Sequence, residues 1–94
     1  MDYHEAAAQW EQLCEGSELL RIYIENVEVR EDRIVYNFDG HMKCVLFWNT
    51  EIGKWVERGD VRGDEDLVTI ERGIIANTLI EVRDRLEEEL RDPL

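Results

Sequence analysis

Apolar positions recur at two different intervals along this chain, and the changes of interval mark out its elements. Between residues 2 and 15, Tyr3, Ala6, Ala7, Trp10, Leu13 and Cys14 return at steps of three and four, the spacing that lines one side of an α-helix. Gly16 follows where a helix would take a left-handed cap. A first helix is therefore expected, with Glu5, Gln9 and Gln12 on its opposite side. The interval then drops to two. Leu20, Ile22 and Ile24 alternate with Arg21, Tyr23 and Glu25, which predicts a strand. The phase slips at Asn26 before Val27 and Val29 resume it, as a β-bulge would cause.

The polar cluster Arg30, Glu31, Asp32 and Arg33 turns the chain into a second strand, with Ile34, Tyr36 and Phe38 on one face and Val35, Asn37 and Asp39 on the other. Asp39-Gly40 predicts a hairpin, because glycine takes the positive φ that tight antiparallel turns demand. The third strand, residues 42–49, is apolar on both faces, as a central strand is. After residues 50–53, the run 54–57 is read as a fourth, edge strand.

Leu67, Ile70, Ile74, Ile75, Leu79, Val82, Leu86 and Leu90 then fall on a broad helical stripe that runs to Arg91, with Pro93 beyond it. A continuous helix from Asp66 would measure about 40 Å, long for so small a domain. Gly73 offers a break point, and an alternative sets Val68 and Ile70 in a further strand with the helix starting near Ile74 or Asn77. Residues 67–72 thus suit either helix or strand. The fold expected is a single α+β domain over residues 1–94. It comprises an N-terminal helix, a three- to four-stranded antiparallel meander sheet and a long C-terminal helix, with the helices layered on one sheet face.

Composition adds the charge. Twenty-three acids against eleven bases leave a formal net charge of -12, a potential that repels nucleic acid and anionic membrane and attracts basic protein surfaces and cations. The first twenty residues hold five acids and no Lys or Arg. In the last helix, by contrast, Glu81 with Arg85, Arg83 with Glu87 and Glu87 with Arg91 stand four residues apart and partly neutralise one another. The Arg bias, with Lys43 and Lys54 the only lysines, also fits a salt-adapted host in which acidity is a matter of solubility alone. Two cysteines are too few for a disulfide scaffold, and no charged-then-apolar leader or long apolar run is seen. A cytoplasmic protein with reduced thiols is expected.

Candidate chemistry is thin. Residues 57–66, ERGDVRGDED, write Arg-Gly-Asp twice. The glycines are read as permitting a turn, and Asp64, Glu65 and Asp66 as the first turn of the last helix, where acids complement the helix dipole. The spacing does not match a calcium loop. His4, Cys14, His41 and Cys44 make a poor zinc set, since His41 and Cys44 point to opposite faces of a strand and the other pair lies about 15 Å apart along a helix. No nucleophile–histidine pair can be assembled and no glycine-rich phosphate loop is present. No catalytic residue, metal or cofactor is therefore expected.

What remains is surface. Glu5, Glu11 and Glu15 of the first helix, with Asp60, Asp64, Glu65 and Asp66 of the 57–66 segment, are the least compensated acids and the candidate contacts for a basic partner. Tyr23, Val35, Val45 and Phe47 share the sheet face away from the helices and form a candidate apolar interface, for instance between two copies of the chain. The leading expectation is a small acidic inhibitor or antitoxin-like protein. It would occupy a basic, nucleic-acid-binding surface on another protein, its carboxylates standing where DNA offers phosphates. In size and charge the chain resembles the small acidic inhibitors made by mobile elements, such as anti-CRISPR proteins, though no family motif carries that resemblance. The alternative is a homodimeric structural or assembly protein joined through the apolar face.

Overall fold

Residues 1–60 and 72–91 are described by the computed structural model of this chain. Their order is α1 (Tyr3–Glu15), α2 (Glu18–Tyr23), β1 (Ile24–Val29), β2 (Ile34–Phe38), β3 (Met42–Asn49), β4 (Lys54–Asp60), β5 (Arg72–Ala76) and α3 (Leu79–Arg91). The five strands form one antiparallel sheet in the order β1-β2-β3-β4-β5. All three helices contribute to a single core on one face of it. The fold is α+β, with one strand more than the apolar pattern predicts.

Local chemistry explains most of the elements. The Asp2 carboxylate caps α1 by accepting from the N–H groups of His4 and Glu5 at 3.0 and 3.3 Å. Ala6, Ala7, Trp10 and Cys14 then turn inward. Gly16 closes the helix in the right-handed region, φ -75°, and not in the left-handed one, because Ser17 at once starts a new helix. The Ser17 hydroxyl accepts from the Leu20 N–H at 3.2 Å and donates to Glu87 Oε2 of α3 at 3.0 Å, so one buried oxygen both caps α2 and ties it to α3.

The first correction falls here. The alternation of Leu20, Ile22 and Ile24 predicts a strand, yet residues 18–23 are helical. The Ser17 cap and the packing of Leu20 and Tyr23, three residues apart, outweigh the period-two pattern. Leu20 is fully buried, whereas Ile22 is 70% exposed. The bulge expected near Asn26 is present: Asn26 has φ 57° and the β1–β2 register shifts between Glu25 and Glu28. The Asp39-Gly40 turn also forms as expected, with φ 56° and 78°.

β4 is longer than the run 54–57 and lies inside the sheet between β3 and β5, not at an edge. It carries the first Arg-Gly-Asp, residues 58–60, so that tripeptide is a strand and not a turn. Gly59 answers to packing. A β-carbon there would sit 2.6 Å from Met42 Sδ and 3.3 Å from Cys44 Sγ, closer than side chains tolerate.

A helix continuous through residues 72–78 does not form, and the alternative start near Asn77 lies close to what is seen. Residues 72–76 form β5, in register with β4 from Gly59↔Arg72 to Trp55↔Ala76, and α3 begins only at Leu79. Thr78 Oγ1 accepts from the Glu81 N–H at 3.1 Å while the Glu81 carboxylate accepts from the Asn77 N–H at 2.6 Å, a variant of the capping box. Val68, Ile70 and the second Arg-Gly-Asp lie outside the described residues. No helix among those described is long and apolar enough to cross a membrane.

Candidate protein-interaction surfaces

Helical geometry divides α1 into two sides. Its inner arc is wholly apolar, and its outer arc presents Glu5, Glu11 and Glu15 together with Gln9 and Gln12, all exposed. At 1.5 Å of rise per residue the three carboxylates span about 15 Å of helix. Ion pairs among the described residues join Arg30 to Glu28, Arg33 to Asp32, Arg83 to Asp84 and Glu87, Arg85 to Glu81, and Arg91 to Glu87. Three of the bases concerned belong to α3. Neither Glu5, Glu11 and Glu15 of α1 nor Glu18 of α2 has such a partner among the described residues.

The field of these groups reaches the core. Burial pushes the Cys14 thiol up to about 12, with Glu11 adding to the rise, Arg83 opposing it and Glu15 adding again. Glu11 and Glu15 are four residues apart on α1 and flank a cleft of about 180 Å³ whose floor is Cys14, Ile24 and Val27, with Arg21 on the rim. A raised thiol pKa disfavours the thiolate, so Cys14 behaves as a small buried hydrophobe and not as a nucleophile.

Other candidates are placed differently. Asp60 ends β4 and is fully buried, so it presents no carboxylate to a partner. Asp64, Glu65 and Asp66 lie outside the described residues, and because α3 starts at Leu79 they do not form its first turn.

The four apolar candidates are not one open patch. Tyr23 ends α2, and its ring stacks on Phe38 at a centroid distance of 5.8 Å, on the helix side of the sheet. Val35 and Val45 pair directly across β2 and β3 and are 0% and 4% exposed. Phe47 is half-buried with the Arg58 guanidinium 5.8 Å from its ring centre. Placing Tyr23 with the others follows from reading residues 20–24 as a strand; the helical spacing from the Ser17 cap is the signal that separates it from them.

One polar site lies in the core itself. Glu57 is 0% exposed, on the helix-facing side of β4, in register between Leu46 of β3 and Ile74 of β5. The Tyr36 hydroxyl donates to its Oε2, and Trp10 lies against the Tyr36 ring at 5.9 Å. Strand alternation could have found it, since Trp55, Glu57 and Gly59 must share a face. Comparison with protein families, with curated proteins and with solved structures finds no match to this chain.

Proposed function

We propose that this is a small binding protein, of the inhibitor or antitoxin-like kind, whose α1 face occupies a basic and ordinarily nucleic-acid-binding surface of a partner protein. The observation that carries the reading is the distribution of charge compensation. Glu81, Asp84 and Glu87 of α3 are matched by arginines of the same helix, whereas Glu5, Glu11 and Glu15 are exposed and have no ion-pair partner among the described residues. A net charge of -12 places the whole molecule in a field that draws cationic surfaces toward it and repels polyanions.

Density sets the scale of the effect. Three charges over about 15 Å of α1 amount to one per about 5 Å, sparser than one DNA strand with a phosphate every 3.4 Å or so. Such a face competes for the steering and rim contacts of a basic groove. Its contribution is mainly to association rate and orientation, and it falls steeply with salt. The protein on this reading acts by occupancy and performs no chemistry.

The test is capture of the partner from the native host at low and high ionic strength, by the parent protein and by the Glu5→Gln/Glu11→Gln/Glu15→Gln variant, with duplex DNA as competitor. Retention that is weakened by salt, by the triple substitution and by DNA is expected. Capture indifferent to all three would remove the proposal.

A further inference from the structure

The two edges of the sheet are unlike. At β1 the chain bulges at Asn26 and carries Glu25 and Glu28, features that keep an edge from pairing with another strand. β5 has neither. Residues 72–80 contain no acid, among the described residues β5 pairs only with β4, and its positions described as exposed are Gly73 and Ile75, the latter 53% exposed. Arg85 Nη1 of α3 donates to the Ile75 carbonyl at 2.6 Å. A carbonyl turned toward β4 would be engaged in the ladder, so the one that Arg85 reaches lies on the outer side. In an antiparallel strand the N–H of the same residue lies there too, as do both backbone groups of the residue two positions away. Ile75 and Gly73 thus offer an outward row of donors and acceptors, of which, among the described residues, a side chain takes only the Ile75 carbonyl.

We propose that the outer edge of β5 pairs with β5 of a second copy of this chain, antiparallel about a two-fold axis at Ile74, to continue the sheet across the dimer. Three features select a second copy as the occupant. The row is symmetric about Ile74, so Gly73 of each copy meets Ile75 of the other and the pair exchanges N–H···O bonds in both directions. The exposed Ile75 side chain then lies over Gly73 of the other copy, which has no side chain to obstruct it. The third feature is charge. The groove between β5 and α3, about 570 Å³, is lined by Gly73, Ile74, Arg85, Glu88, Glu89 and Arg91. That lining carries two arginines and two glutamates, so two such walls can meet without net like-charge repulsion. The acids of α1 have no place in this contact, and the inference stands apart from the binding role proposed above.

A five-residue edge is small beside the area that stable interfaces bury, so the dimer is expected to be weak and to form with rising concentration. In forming, Arg85 gives up the Ile75 carbonyl to a backbone N–H of the second copy.

Sedimentation of the full chain from about 1 μM to about 1 mM should show a monomer giving way to a dimer. Amide exchange should slow at Gly73 and Ile75 over that range while Ile74, bonded to β4, stays protected throughout. Ile75→Pro removes only the outward N–H, and with two interstrand bonds lost per dimer it should weaken association about tenfold or more. If that variant does not fold, Ile75→Cys carrying a nitroxide serves instead. Cys14 and Cys44 are buried, so the label goes to the introduced thiol, and dipolar broadening is expected on dimerisation because diagonal neighbours across an antiparallel pair lie about 7–8 Å apart. A chain that stays monomeric to the top of the range overturns the proposal, as does a dimer that Ile75→Pro leaves unchanged or one without broadening.

Discussion

Replacing Tyr36 by Phe deletes one oxygen from the centre of the core and leaves the ring where it was. That oxygen donates to Glu57 Oε2, and both residues are 0% exposed. Water cannot take over the lost role without opening the sheet, so the acceptor loses a donor in a medium where such a loss costs about 1–3 kcal/mol. For a domain of this size each kcal/mol lowers the melting temperature by about 4–8 °C. Tyr36→Phe should therefore melt about 5–20 °C below the parent in a calorimetric or circular-dichroism scan. Tyr3→Phe serves as the control. Its hydroxyl accepts from the Trp48 N–H at 2.9 Å in a part-buried setting, where water can substitute, and its cost should stay near 1 kcal/mol or below. A double-mutant cycle with Glu57→Gln isolates the pair. If Tyr36→Phe stays within about 0.5 kcal/mol of the parent, the hydroxyl is not holding Glu57 and the reasoning about this site fails.

Other substitutions probe separate features. Ser17→Ala removes both the cap of α2 and the link to Glu87, and a loss of about 1–2 kcal/mol in urea unfolding is expected. Gly59→Ala drives a β-carbon toward Met42 Sδ; because that sulfur ends a flexible side chain, the loss should be about 1–2 kcal/mol, and adding Met42→Ala should relieve part of it. Cys14 should resist thiol reagents at pH 8 until denaturant is added. Its folded pKa of about 12 lies above the ordinary thiol value of 9.0, so the unfolded chain sheds the proton first. The stability it carries is fully present below pH 9 and is lost as pH rises toward 12. Cys14→Ala should flatten the alkaline limb of a stability-versus-pH curve, and an unchanged limb would assign the effect elsewhere.

The candidate site was legible wherever it depended on helical spacing alone. Glu5, Glu11 and Glu15 face water in α1 as their positions opposite Ala6, Ala7, Trp10 and Cys14 require. Asp60 was not legible, because its burial depends on β4 extending through residues 57–60 and on β3 lying beside it. Tyr23, Val35, Val45 and Phe47 separated for a similar reason. Assigning them one face required knowing that residue 23 belongs to a helix and that the second sheet face does not stand open at Val35 and Val45.

The order of residues by itself determined what neighbours within a few positions can settle. That includes α1 with its two sides, the bulge at Asn26, the Asp39-Gly40 turn, the i,i+4 ion pairs of α3 and the net charge. Tertiary structure alone decided the rest. Ile74 and Ile75 suit a helical stripe as well as a strand, and β4, some eighteen positions earlier, supplies the ladder that makes them β5. Glu57 reads as one more acid until Leu46, Ile74 and the Tyr36 hydroxyl close around it. Backbone and carboxylate groups alike take their partners from distant parts of the chain, and a hydrogen bond to a distant partner leaves no periodic trace in the sequence.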